Sequence, residues 1–300
     1  TIAKKEEAKN KSKNKIAVVV ASGSIVDGTQ PPGMIGGDST AQLLREAHED
    51  EEVKAIVLRV DSGGGSAFAS EVIREEIVIA KSKDIKVIAS MSNVAASGGY
   101  WISASADEIW ASHDTITGSI GIFGFLPTFE KPLDKIGVHT DGVSTTKIGA
   151  GIDPMQSLNP IIARVIQSNI EHGYQRFIKL VSESRNMTLE QVDKIAQGRV
   201  WAGETALEIG LVDKLGNLDE AIKRAAELAE LKDFKTTYPS LSSDWKDQIL
   251  NQFFSKLSLI LSSKIDNKPL LKRSLEFTNQ FEDLNDPRGI YVKCLDCLLF

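Results

Sequence analysis

Three continuous runs of apolar, largely β-branched residues constrain this chain most: residues 16–21 (IAVVVA), 55–60 (AIVLRV) and 86–91 (KVIASM). A strand with one wet face alternates apolar and polar side chains. A run without that alternation belongs to a strand buried on both faces. Each run leads into helical periodicity. The first is followed by a polar Gly/Pro-rich loop, Ser22 to Gly37, and a helix over 40–49 capped by Asp38 or Ser39, with Leu43, Leu44 and Ala47 on one face. The second is followed by a helix over about 67–83. The third is followed by another helical stretch and a short strand at 108–111. The order βαβαβα predicts an α/β fold with a mainly parallel sheet, right-handed crossovers and flanking helices.

Further along, a long helical pattern covers 159–184. Thr188-x-x-Gln191 is a capping box for a short helix ending near Gly198, and Asn217 or Asp219 opens a helix to about Leu231. Residues 232–300 change character. Ile249, Leu250, Phe253, Phe254, Leu257, Ile260 and Leu261 fall at helical spacing, which predicts a helical tail. Such a helix packs on its own core, on a sister subunit or at a membrane surface. The expected organisation is a linker at 1–14, an α/β domain at 15–231 and the tail at 232–300.

Charge and composition narrow the function. The 35 Lys and Arg against 41 Asp and Glu leave a net charge of −6, which argues against nucleic acid as a partner. No run reaches the roughly 18–20 apolar residues of a membrane-spanning helix. The chain opens on Thr1, and its lead-in TIAKKEEAKNKSKN reads as a solvated linker, so a piece of a longer protein is expected. Cys294 and Cys297 form a lone CxxC, too few ligands for a structural zinc and remote from any βαβ pattern. A local disulfide or a tail contact is expected, and no metal or cofactor. His48, His113, His139 and His172 stand in no GxSxG or HExxH motif.

In parallel sheets, sites gather at the carboxyl ends of strands. Two glycine clusters lie there: Gly63-Gly64-Gly65 after the second strand, and Asn93-Val94-Ala95-Ala96-Ser97-Gly98-Gly99 after the third. Ser97 follows a buried strand, has small neighbours and begins a helix. It reads either as a nucleophile or as a simple helix cap. As a nucleophile, it has the Gly98 N–H at the positive end of the helix, with a second donor from the other cluster, to hold a developing oxyanion.

Ala95-Ala96-Ser97-Gly98-Gly99-Tyr100, preceded by Asp61-Ser62-Gly63-Gly64-Gly65, resembles the signal peptide peptidase A (protease IV) family. Thr117-Gly118-Ser119-Ile120-Gly121, Gly198-Arg199-Val200-Trp201-Ala202-Gly203 and Gly210-Leu211-Val212-Asp213 agree with it. The likeness is dense over 15–231 and looser in the tail. It is nearest to the C-terminal half of the long, duplicated form, whose tail also ends near a CxxC. The resemblance implies a Clp/crotonase-like fold and a Ser–Lys dyad. Ser97 matches the nucleophile, Gly65 and the N–H of Gly98 match the oxyanion hole, and Ser119 matches a serine that hydrogen-bonds the dyad lysine. A lysine must be desolvated to lose its proton near neutrality. The apolar groove that does so also suits the apolar side chains of cleaved signal peptides.

The sequence departs from the family at two places. The family loop usually reads Asn-Ser-Pro-Gly-Gly, and here Asp61 and Gly63 replace Asn and Pro. Short members carry the lysine in a Tyr-Lys pair after the strand matching 137–146, a position that falls on Gly149 here. Lys147, two residues earlier and on the same strand face, reads either as a substitute base within this chain or as an ordinary exposed lysine. In the long form the lysine lies in the N-terminal half. The resemblance therefore implies the serine-bearing half of a peptidase that degrades released signal peptides. Its partners would be a homologous N-terminal half, sister subunits in a homo-oligomer, and the periplasmic face of a bacterial inner membrane through an upstream anchor. The alternative is a catalytically silent scaffold of the same fold that binds apolar peptides or membrane proteins. A crotonase-type acyl-CoA enzyme leaves Ser97 without a role.

Overall fold

A computed structural model describes residues 12–146, 148–149, 153–240, 284–295 and 297. In chain order the first half contains β1 (Lys15–Ser22), β2 (Ile25–Val26), β3 (Ile35–Gly36), α1 (Gly37–Glu49), β4 (Val53–Ser62), β5 (Gly64–Ser66), α2 (Ala67–Ser82), β6 (Lys86–Ala96), α3 (Gly98–Ser103), β7 (Glu108–Ala111), β8 (Ile116–Gly118), β9 (Phe123–Gly124) and α4 (Glu130–Asp134). There follow α5 (Pro160–Arg185), α6 (Leu189–Ile195), β10 (Val200–Ala202), α7 (Gly203–Glu208), β11 (Lys214–Leu215), α8 (Leu218–Leu228), β12 (Lys235–Thr237) and β13 (Ile290–Lys293).

The larger sheet runs β10-β8-β6-β4-β1-β12, with β7 beside β6 and β11 beside β7. Its described pairs are parallel except β10 with β8. The unbroken apolar runs become its central strands, and alternate residues face two cores. Ile16, Val18, Ala55, Val57 and Ile88 meet Ala221, Ile222 and Ala225 of α8. Ala17, Val19, Ile56 and Leu58 share the other core with Leu44 of α1 and with Ile73 and Ile77 of α2. Neither face could be polar, which is why these strands lack alternation. At the far edge Lys15 pairs with Lys235, and the Ser12 hydroxyl donates to Asp233 O at 2.9 Å.

Several local expectations change. The third strand does not stop at Met91. It extends to Ala96, and Val94, Ala95 and Ala96 pair with β8. The strand therefore delivers the chain directly to Ser97. Neither Asp38 nor Ser39 caps α1. The helix begins at Gly37 with Gly36 in the cap position and no side-chain cap, and the Ser39 hydroxyl turns back to donate to Gly36 O. The loop from Ser22 to Gly37 holds β2 and β3, which open a second sheet ordered β3-β2-β5-β13-β9. The capping boxes at Thr188/Gln191 and Asn217/Glu220 are both formed.

The apolar helical pattern of the tail, Ile249 to Leu261, lies outside the described residues. Where the tail is described, it contributes the strands β12 and β13. β12 joins the edge of the large sheet beside β1, and β13 is inserted antiparallel between β5 and β9. Short β-branched stretches such as Ile290-Tyr291-Val292 satisfy their backbone by pairing with strands distant in sequence, a signal that helical periodicity does not contain. Among the described residues, no helix is long and apolar enough to cross a membrane.

Candidate active site

The two glycine clusters meet backbone to backbone. A Cβ added to Gly64 would lie 2.5 Å from the Gly98 N and 1.9 Å from Val292 O, and one on Gly98 would lie 3.0 Å from the Gly64 Cα. A Cβ on Gly99 would come within 2.6 Å of Ser62 O. Only glycine permits that approach. It brings the carboxyl end of β4 against the start of α3. Below, the Trp101 indole N–H of α3 donates to Glu71 of α2 at 2.7 Å, and the Trp101 ring packs tilted by 45° against Phe177 of α5 with centroids 4.6 Å apart. Burial opposes ionisation of Glu71, but hydrogen bonds from Arg74 and Trp101 outweigh it and hold the carboxyl below its ordinary range.

Ser97 occupies the junction between β6 and α3 with φ +55° and ψ −111°. That is sparsely populated backbone for a residue with a side chain, and such conformations persist where surrounding structure enforces them. Here the Ser97 N–H donates to Gly118 O at 2.8 Å and Ser97 O accepts from the Trp101 N–H at 2.8 Å. The residue stands in the cap position, yet its side chain makes no capping hydrogen bond. It is 1% exposed and lines a cavity of about 400 Å³. A sharp strand-to-helix turn that presents a hydroxyl to a cavity is the geometry of a nucleophile elbow. Between the two sequence readings, the geometry excludes simple capping.

Ser119 lines the same cavity, so Ser97 and Ser119 are brought together. Ser119 too has a left-handed backbone, φ +49°, and its N–H donates to Arg199 O at 2.7 Å. Gly98 is the first residue of α3, where an N–H has no acceptor within the helix. Gly65 is placed differently. It lies in β5 between β2 and β13, opposite both Ile25 and Val292, so its N–H faces a paired strand whichever way it points. Neither Gly65 nor Gly98 is among the residues lining the cavity. Lys147, the candidate base, lies outside the described residues.

Sequence reasoning missed six contributors to this cavity: Ile122, Phe123, Tyr174, Gln197, Lys293 and Leu295. Tyr174 of α5 donates its hydroxyl to Asp193 at 2.7 Å. Burial, reinforced by that bond, pushes its pKa up to about 12, so the ring stays neutral. Ile122 and Phe123 add apolar wall. Lys293 ends β13, and Leu295 lies in the turn between Cys294 and Cys297, which form a disulfide as the CxxC reading allowed. The only legible signal was the β-branched Ile290-Tyr291-Val292 run beside that CxxC.

Comparison with known proteins gives a consistent picture. Peptidase family S49 matches residues 79–232. Protease 4 of Salmonella typhi is 46% identical over 288 residues, which cover 94% of this chain and 46% of that protein. Protease 4 of Haemophilus influenzae is 44% identical over 296 residues, covering 95% of this chain and 47% of that protein. The chain thus spans about half the length of these relatives. Among solved structures, a ClpP1 mutant from Listeria monocytogenes overlaps 74% of this chain and 99% of its own length, with a TM-score of 0.47 and 15% identity.

Proposed function

The chain belongs to peptidase family S49, and from that premise we propose that it is the serine-bearing part of a serine peptidase with Ser97 as nucleophile. The observation that carries this reading is the Ser97 turn: a left-handed backbone at a strand end that aims a non-capping hydroxyl at a cavity. In the proposed reaction Ser97 Oγ attacks the scissile carbonyl as a neutral lysine takes its proton. The resulting oxyanion is held by the Gly98 N–H, and Ser119 orients the lysine. Collapse breaks the C–N bond, and the lysine ammonium protonates the departing amine. Water then releases the acyl group by the same steps. The Gly65 N–H joins the oxyanion site only if the strand pairing at Gly65 opens.

The lysine comes from a homologous part of the polypeptide ahead of Thr1, in keeping with a chain that spans about half of Protease 4. The substrates are apolar remnants of cleaved signal peptides, met in a homo-oligomer anchored upstream at the periplasmic face of the inner membrane. The apolar cavity walls and the family resemblance support that substrate class.

The test uses the complete natural polypeptide and a fluorophosphonate reagent that acylates activated serines. The wild type is labelled and hydrolyses apolar peptides. Ser97→Ala loses both at unchanged melting temperature, and peptide mapping places the label on Ser97. A wild-type protein that binds apolar peptides but takes no label is the silent scaffold instead.

A further inference from the structure

The C-terminal segment that carries β13 grips the glycine loop at both ends, yet takes no part in the reaction above. At one end the Cys294 N–H donates to Gly63 O at 2.6 Å. At the other stands Asp286, which is 7% exposed. One of its carboxylate oxygens accepts from Ser66 Oγ at 2.6 Å and from the Phe68 N–H at 2.9 Å. The other accepts from the N–H groups of Arg288 at 2.8 Å and Ile290 at 3.2 Å. A carboxylate is buried only where such donors offset its desolvation. Two of them belong to the start of α2. Ser66 is the cap of that helix and accepts from the Ala69 N–H at 3.1 Å, while the Phe68 N–H has no acceptor within the helix. The first turn of α2 carries no acidic residue of its own. The negative charge that suits its N-terminus arrives from a residue 218 positions further along the chain. Ser66 O in turn accepts from Ser70 Oγ at 2.7 Å. A Cβ on Gly98 would lie 2.8 Å from that Ser70 oxygen, so Gly98 rests directly on the turn that Asp286 holds.

We propose that Asp286 is a positioning residue for the oxyanion donor: it caps α2 and, through Ser66 and Ser70, fixes the surface on which Gly98 sits. This rests on the Ser97 reading and adds to it a residue from the far end of the chain. Asp286 touches no reacting atom. Its effect runs through the Gly98 N–H, whose placement at the start of α3 decides how firmly a negative oxygen is held. A misplacement of about 1 Å in such a donor costs on the order of 100-fold in rate. The oxyanion exists only once Ser97 has attacked, so a loosened turn lowers kcat and leaves KM nearly unchanged.

The experiment measures kcat and KM on an apolar peptide, with the complete natural polypeptide carrying Asp286→Asn, Ser66→Ala, or both. Asp286→Asn keeps the side chain's shape but turns one acceptor oxygen into a donor. Ser66→Ala and Ser70→Ala each remove a single hydroxyl, and they decide the question if Asp286→Asn does not fold. At a temperature well below every melting point, Asp286→Asn and Ser66→Ala are each expected to lower kcat about 10- to 100-fold, with KM changed less than twofold. The double variant loses about as much as the worse single one, because the two residues act along one line of contacts. Glu76→Gln, which destabilises α2 away from the glycine loop, keeps kcat within twofold and separates lost stability from lost positioning. Fluorophosphonate labelling reports the Ser97 reading independently: the Asp286 and Ser66 variants take the label more slowly but to the same final extent. An unlabelled wild type removes the Ser97 reading. A labelled, active wild type whose folded variants keep kcat within twofold, or raise KM instead, overturns the role of Asp286.

Discussion

At the scale of single residues, the site depends on side chains that are absent. Gly64 has φ +92°, and a methyl group there would overlap Val292 O. Gly64→Ala is therefore expected to cost more than about 3 kcal/mol, from backbone strain and a clash between main chains that cannot yield separately. Urea unfolding of the variant checks this. A loss below about 1 kcal/mol would mean that β5 and β13 separate easily. Ser97 was legible in the sequence because small neighbours and a following glycine pair are visible in one line of text. Its left-handed backbone was not, since it is imposed by Gly118 O and by the packing of α3, which come from other parts of the chain. Lys293 was illegible for the same reason. Its position is set by pairing with Gly64, far away in sequence.

Between elements, α1 and α2 are pinned by a buried ionic cluster. Glu76 of α2 accepts from His48 Nε2 at 2.8 Å and pairs with Arg45, both on α1, while Lys83 Nζ meets His48 Nδ1 at 2.9 Å. The Glu76 side chain is 5% exposed. Burial opposes its charge, but the bonds from His48 and Arg45 outweigh this and lower its pKa below the ordinary 4.5. A lowered carboxylate contributes stability that is complete above pH 4.5 and is lost as pH falls through the folded value. Glu76→Gln is expected to cost about 3 kcal/mol at neutral pH, because it leaves the buried His48 donor, and the half-exposed Arg45, facing a neutral amide. The gap in melting temperature from wild type narrows below pH 4.5. A calorimetric series from pH 7 to 3 reads both, and a gap that is constant with pH would contradict the assignment. The longer helices and the central strands were foreseeable from periodicity, and the caps at Thr188 and Asn217 from their local motifs. The five-stranded second sheet was not, because three of its strands are two residues long and owe their existence to their neighbours.

For the whole molecule, two levels of expectation separate. The parallel α/β architecture follows from alternation of buried runs with amphipathic helices, and the family match with that sheet makes it Clp/crotonase-like. The base is not among the described residues of the site, and in the proposed reaction it comes from outside this chain. The isolated 300-residue chain is expected to fold cooperatively yet to hydrolyse apolar peptides at least about 100-fold more slowly than the complete polypeptide, the scale at which general-base catalysis contributes. Steady-state assays of the two proteins at equal concentration measure this. Full activity in the short chain that disappears with Lys147→Ala would place the base at Lys147 instead.

The pairing of Lys15 with Lys235 has a consequence in reach. β1 begins at the amino end of the parallel strands, while Ser97 stands at the carboxyl end. The eight residues of β1 put roughly 26 Å between these levels. Residues 12–14 are held at that edge, with the Ser12 hydroxyl on Asp233 O and Asn14 O accepting from the Lys235 N–H. The chain therefore enters the large sheet at the level farthest from Ser97, and any group that reaches Ser97 from that edge must cross the full height of the sheet.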